Sequence, residues 1–146
     1  EGSDLTVIVL ANSNTTNPTA IANRIAAALD PALIRAEPPN RPITDRDPAI
    51  TAYVLKMLGK IARGELVAGD FEFVRQTLVP KMSAAYARLL GPLGVLKSLD
   101  LLARGEEGDD RTFVYRATFE SGVVRANVKI GPGGRLTGLQ LGRTEP

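Results

Sequence analysis

Between Arg111 and Leu141 the sequence alternates apolar and polar residues so regularly that antiparallel sheet is the natural structure for it. Phe113, Tyr115, Ala117 and Phe119 interleave with Thr112, Val114, Arg116 and Thr118. After Glu120-Ser121-Gly122, a turn, Val124, Ala126, Val128 and Ile130 interleave with Val123, Arg125, Asn127 and Lys129. Gly131-Pro132-Gly133-Gly134 turns the chain again, since glycine reaches positive φ at little cost and proline pre-sets a turn. Leu139 and Leu141 complete a third strand. A two-residue period buries one face only, so this meander needs a cover.

The preceding residues supply one. Asp47-Pro48 reads as a helix start, and Ile50, Tyr53, Val54, Met57, Leu58 and Ile61 recur at spacings of three and four up to Gly64, a helix stop. A shorter helix is expected from Asp70, with Phe71, Val74 and Leu78 on one side. Another is expected from Pro80, with Ala85, Tyr86, Leu89 and Leu90, ending at Gly91-Pro92. Residues 95–103 fit a first strand less cleanly, and Glu106–Asp110 reads as the turn after it. Helices followed by a meander predict an α+β domain, with helices on one face of a curved antiparallel sheet.

Nearer the start, residues 5–11 are an uninterrupted apolar run rich in β-branched side chains, the pattern of a strand buried on both faces. Asn17-Pro18 opens a helix whose stripe is Ile21, Ile25, Ala28 and Leu29, stopping near Asp30-Pro31. Pro38, Pro39 and Pro42 then exclude regular helix or central strand. The expected organisation is a strand–helix segment over 1–36, a proline-rich linker over 37–42 and an α+β domain over 43–146. The bare strand 5–11 requires pairing, and a homo-oligomer formed through it or through the sheet face is one solution.

Composition narrows the chemistry. There is no cysteine and no histidine, which removes disulfides, thiolate nucleophiles and imidazole catalysis. A net charge of +2 is too small to imply a nucleic-acid partner. No apolar run is long enough to span a bilayer. With no initiator methionine and no signal peptide, the sequence is expected to begin inside a longer reading frame or after processing.

Few residues invite a site. Tyr53, Tyr86 and Tyr115 fall on apolar faces and could converge on a pocket between helices and sheet; core tyrosines with one satisfied hydroxyl are the commoner outcome. Asp100 interrupts an apolar strand and would be a general base if buried, or an ordinary solvent-facing position. Arg116, Arg125 and Lys129 are candidates for a docking face toward an acidic partner, or for a solvated sheet face. Glu106, Glu107, Asp109 and Asp110 lack the spacing of a calcium loop and read as an acidic hairpin tip, so no metal site is expected. Asn12 to Asn17 reads as a helix-capping loop. The glycines at 131–134 lie between strands, not before a helix, so they are a turn and not a phosphate cradle; no cofactor is implied.

Two parts of the sequence resemble pieces of one known arrangement. Asp4 to Asn12, then Asn17-Pro18 and Ala20 to Ala26, resemble the last strand and C-terminal helix of serine β-lactamase-like hydrolases, which include penicillin-binding proteins and D-alanyl-D-alanine carboxypeptidases. Leu89-Leu90-Gly91-Pro92-Leu93-Gly94, Lys97-Ser98-Leu99, Tyr115-Arg116-Ala117 and Gly133 to Leu139 resemble the extension that some bacterial members carry. The resemblance implies a cystatin-like cone of the nuclear-transport-factor-2-like and SnoaL-like kind, and a periplasmic or secreted parent. The catalytic motifs are missing: none of Ser3, Ser13, Ser83, Ser98 or Ser121 has lysine three residues on, and neither Tyr-x-Asn nor Lys-Thr-Gly occurs. The expectation is a non-catalytic accessory domain whose partner is the parent hydrolase. The alternatives are an isomerase- or cyclase-type cone using Asp100 and the tyrosines, or a module docking an acidic partner through its basic sheet face.

Overall fold

A computed structural model describes residues 6–9, 18–30 and 40–143, and the chain divides into two units, Glu1–Glu37 and Pro38–Pro146. In the first, helix α1 spans Pro18–Leu29 and ends at Asp30, where the sequence places its stop. Its apolar stripe is open: Ile21, Ile25 and Leu29 are all exposed. Residues 6–9 have no regular secondary structure, which corrects the strand expected over 5–11, and Ile8 is 78% exposed. A strand is completed by neighbours that bond its main chain, and the described residues of this unit include no other strand to do so. The remainder of that run, the Asn12–Asn17 loop and most of the proline-rich linker lie outside the described residues.

The second unit is α+β. Helix α2 (Pro48–Ala62) and helix α3 (Val79–Leu90) precede strands β1 (Leu96–Glu107), β2 (Asp110–Phe119), β3 (Gly122–Ile130) and β4 (Leu136–Arg143). The sheet is an antiparallel meander in the order β1-β2-β3-β4. Its inner face is the one the alternation marks: Phe113, Tyr115, Ala117, Phe119, Val124, Ala126, Val128 and Ile130 are buried. Val54, Met57, Leu58 and Ile61 of α2, with Val79 and Leu90 of α3, close over it. Each such Val, Leu, Ile or Phe side chain contributes about 1.5–3 kcal/mol on burial. The β1–β2 turn is tighter than expected, because β1 runs through Glu107 and only Gly108 and Asp109 lie between strands, with Gly108 at φ 61°.

Asp47 starts α2, but its side chain makes no capping bond; its carboxylate pairs instead with Arg111 Nη1 at 2.9 Å. Gly64, at φ 71°, follows the end of the helix as its spacing predicts. The short helix expected from Asp70 is not formed. Single 3-10 turns at Ala68–Asp70 and Gln76–Leu78 flank a non-helical stretch, in which Phe71 makes a parallel bridge to Leu136. The Glu72 N–H donates to the Leu136 carbonyl at 2.8 Å. A helix that short is marginal by itself, whereas the edge of β4 offers main-chain partners already in place.

Candidate functional site

The reactive residues singled out by the sequence are built into the framework. Tyr115 is fully buried, and its hydroxyl shares a hydrogen bond with Thr51 Oγ1 at 3.0 Å, joining β2 to α2. The Tyr86 hydroxyl donates to the Leu139 carbonyl at 2.9 Å, joining α3 to β4. Burial pushes both phenols above the usual tyrosine value; the bond with Thr51 partly offsets it at Tyr115, and a backbone hydrogen bond at Leu141 does so at Tyr86. Tyr53 is half-buried against the core; desolvation raises its hydroxyl, the charge of Asp70 adds to that, and Arg135 opposes it. Asp70 itself accepts two bonds from Lys60 Nζ, at 2.6 and 2.8 Å, and one from the Val67 N–H.

Asp100 faces the other side of the sheet. Its Oδ2 accepts from Arg116 Nη2 at 2.9 Å and Nε at 3.2 Å, and Arg116 also donates to the Asn40 carbonyl. Arg116 lies directly opposite Arg125 in the register of β2 and β3, so both belong to the outer face. Lys129 is paired with Glu107 at 2.8 Å. Of the three cations proposed for docking, Arg125 alone makes no ion pair among the described residues. Internal carboxylates therefore already compensate much of that face.

The open surface lies along β1, and the reason is two irregularities in its pairing. Leu96 pairs with Phe119 and Ser98 with Thr118; Leu101 pairs with Tyr115 and Ala103 with Val114. Lys97 and Leu102 are the extra residues. Each such bulge advances the strand by one residue and so exchanges its faces. The residues sharing the inner face are consequently Leu96, Leu99, Leu101, Arg104 and Glu106, a set no simple alternation picks out. Arg104 thus stands opposite buried Phe113, and Glu106 opposite Arg111.

These side chains border an open cleft of about 380 Å³, lined by Asp47, Arg104, Gly105, Glu106, Arg111 and Phe113. The volume falls in the range of small-molecule sites. The ring of Phe113 stacks on Tyr115 with centroids 6.2 Å apart. The Asp47–Arg111 pair ties the start of α2 to β2 across the cleft. Arg104 and Glu106 are exposed, and neither makes an ion pair among the described residues. A second, more apolar groove of about 410 Å³ runs between α2 and the start of β1, past Pro48, Ala52, Leu55, Leu96 and Leu99.

None of Tyr53, Tyr86, Asp100 or Tyr115 lines either cleft. Sequence reasoning missed Arg104 and Glu106 as a site because it ended the first strand at residue 103 and read Glu106 to Asp110 as a turn, whereas β1 continues to Glu107. The available signal was the spacing of Leu96, Leu99 and Leu101, which a regular strand does not produce. Among the described residues no group of carboxylates with metal-binding geometry occurs. No family model, curated protein or solved structure matches the chain.

Proposed function

We propose that the chain is a non-catalytic binding module, the accessory domain of a serine β-lactamase-like hydrolase, with that hydrolase as its partner in a periplasmic or secreted setting. One observation carries the reading: the groups best suited to acid–base work hold the framework together, while open clefts lie beside them. Tyr115 is committed to Thr51, Tyr86 to Leu139, and Asp100 to Arg116. The exposed stripe of α1, Ile21, Ile25 and Leu29, supports it further, as the surface a neighbouring hydrolase domain would cover.

The test is to recover the upstream reading frame and express it with and without residues 38–146. A Ser-x-x-Lys motif should appear upstream, and hydrolysis of a chromogenic ester or β-lactam should survive the truncation while substrate range or assembly changes. Loss of all turnover on truncation, or isomerase activity of the isolated chain abolished by Asp100→Asn, would overturn the reading.

A further inference from the structure

We infer that the cleft at the β1–β2 end binds a small zwitterion of the α-amino-acid type, its carboxylate on Arg104 and its ammonium on Glu106. The inference rests on the binding-module reading and names a ligand class for it. It starts from the bulge at Leu102. Without that extra residue Arg104 would share a face with Asp100; with it, Arg104 and Glu106 share a face with Phe113 and Arg111 and line the cleft. Bulges are enriched beside binding sites because they re-aim side chains in this way.

Charge selects the ligand. Asp47 neutralises Arg111 at 2.9 Å, which leaves one cation and one anion at the cleft without an ion-pair partner among the described residues. They are two residues apart on one strand face, roughly 7 Å along the backbone. An arginine fork takes a carboxylate in bidentate fashion, and a glutamate accepts from an ammonium. The two charged groups of an α-amino acid, with one salt bridge at each end, span such a gap. A plain anion would gain Arg104 but meet Glu106 and Asp47; a plain cation would gain Glu106 but meet Arg104 and Arg111. Only a molecule carrying both charges is attracted at both ends.

The experiment is an NMR titration of the whole chain with L-alanine, and in parallel with acetate and with methylammonium. L-Alanine should shift the amides of residues 104–106 and 111–113, and should bind more tightly than either fragment. Arg104→Gln and Glu106→Gln should each weaken it about tenfold, Arg104→Lys less. Both residues are exposed, so amide dispersion should remain native and serve as the control for folding. Acetate matching L-alanine, unchanged binding in both glutamine variants, or no shift at all would overturn the inference. Shifts confined to the Pro48–Leu99 groove would overturn it too, yet leave the binding-module reading standing; that reading falls by its own truncation experiment.

Discussion

The two edges of the sheet are finished differently. Along β4, the Glu72 N–H bonds Leu136, the Tyr86 hydroxyl bonds Leu139, and Phe71 packs into the core beside them. Along β1, among the described residues, one main-chain bond from Ile43 N–H to the Leu101 carbonyl is made beyond the pairing with β2, and both clefts lie there. An unpaired edge is a liability unless it is blunted or used. The closed edge is built from a segment that gives up helix to become part of the sheet. The open edge is bulged twice, and its bulges determine which side chains face the clefts. The lesson is that irregularity alone does not open an edge, since β4 carries one register shift of its own beside Ile130; the edge covered by a neighbouring segment is protected, and the uncovered, twice-bulged one is left available for binding.

The strongest way to break this contrast is Phe71→Ala. Removing a buried ring should cost about 3–5 kcal/mol, read as a lower urea midpoint, and hydrogen exchange should accelerate in residues 136–141 before residues 96–101. Equal acceleration at both edges would remove the distinction. Next is Gly131→Ala. A Cβ there would run into the Glu72 carboxylate and approach the Thr137 methyl to 2.8 Å, an overpacking expected to cost about 1–3 kcal/mol. Because Glu72 Oε2 is buried with no hydrogen-bond partner among the described residues, truncating Glu72 to alanine should relieve part of the loss. A double-mutant cycle with no coupling would show that the turn does not press on Glu72.

Smaller effects sharpen the picture. Tyr86→Phe deletes the hydroxyl that serves Leu139 and should cost about 1 kcal/mol, by thermal melting; a neutral result would leave the β4 edge held by Phe71 and Glu72 alone. The pH dependence follows from the same phenols. Their folded values lie above the unfolded reference of 10.0, so the fold favours the neutral form. That contribution is full below the unfolded value and is lost as pH rises through the folded values, since the unfolded chain releases these protons first. Stability should therefore fall as pH rises above about 10, and a Tyr86→Phe, Tyr115→Phe double variant should fall less steeply than the parent. Parallel curves would refute the role of these two groups. At the open edge, Arg111→Gln removes an exposed ion pair and should change stability by at most about 1 kcal/mol, by urea melting. A larger loss would mean that the cleft is structural and not merely available.

How much was legible follows from particular residues. β2 and β3 could be read directly, because each inward residue from Phe113 to Phe119 and from Val124 to Ile130 keeps strict alternation and the inner face is the buried one. α2 was equally clear from Ile50 to Gly64. The stretch from Asp70 to Leu78 misled because apolar spacings of three and four also suit a helix; the bridge from Phe71 to Leu136 joins positions far apart in the chain. The candidate tyrosines were correctly placed on apolar faces, but their hydroxyl partners, Thr51 and Leu139, are equally distant in sequence.

By itself, then, the sequence determined which faces are apolar, where α2 and the β2–β3 hairpin lie, and that neither imidazole nor thiol chemistry is present. These are local properties, set by side-chain period and composition. The tertiary structure decided that Glu72 would serve the edge of β4, that Asp47 would hold Arg111 and give its own helix no side-chain cap, and that Arg104 would line the open cleft on the same sheet face as Phe113. The last depends on one residue of register between β1 and β2. Register is a choice between strands, made by whichever pairing buries Leu96, Leu99 and Leu101 together; their spacing within the segment hints at an irregularity, but where the extra residues fall is fixed only against β2.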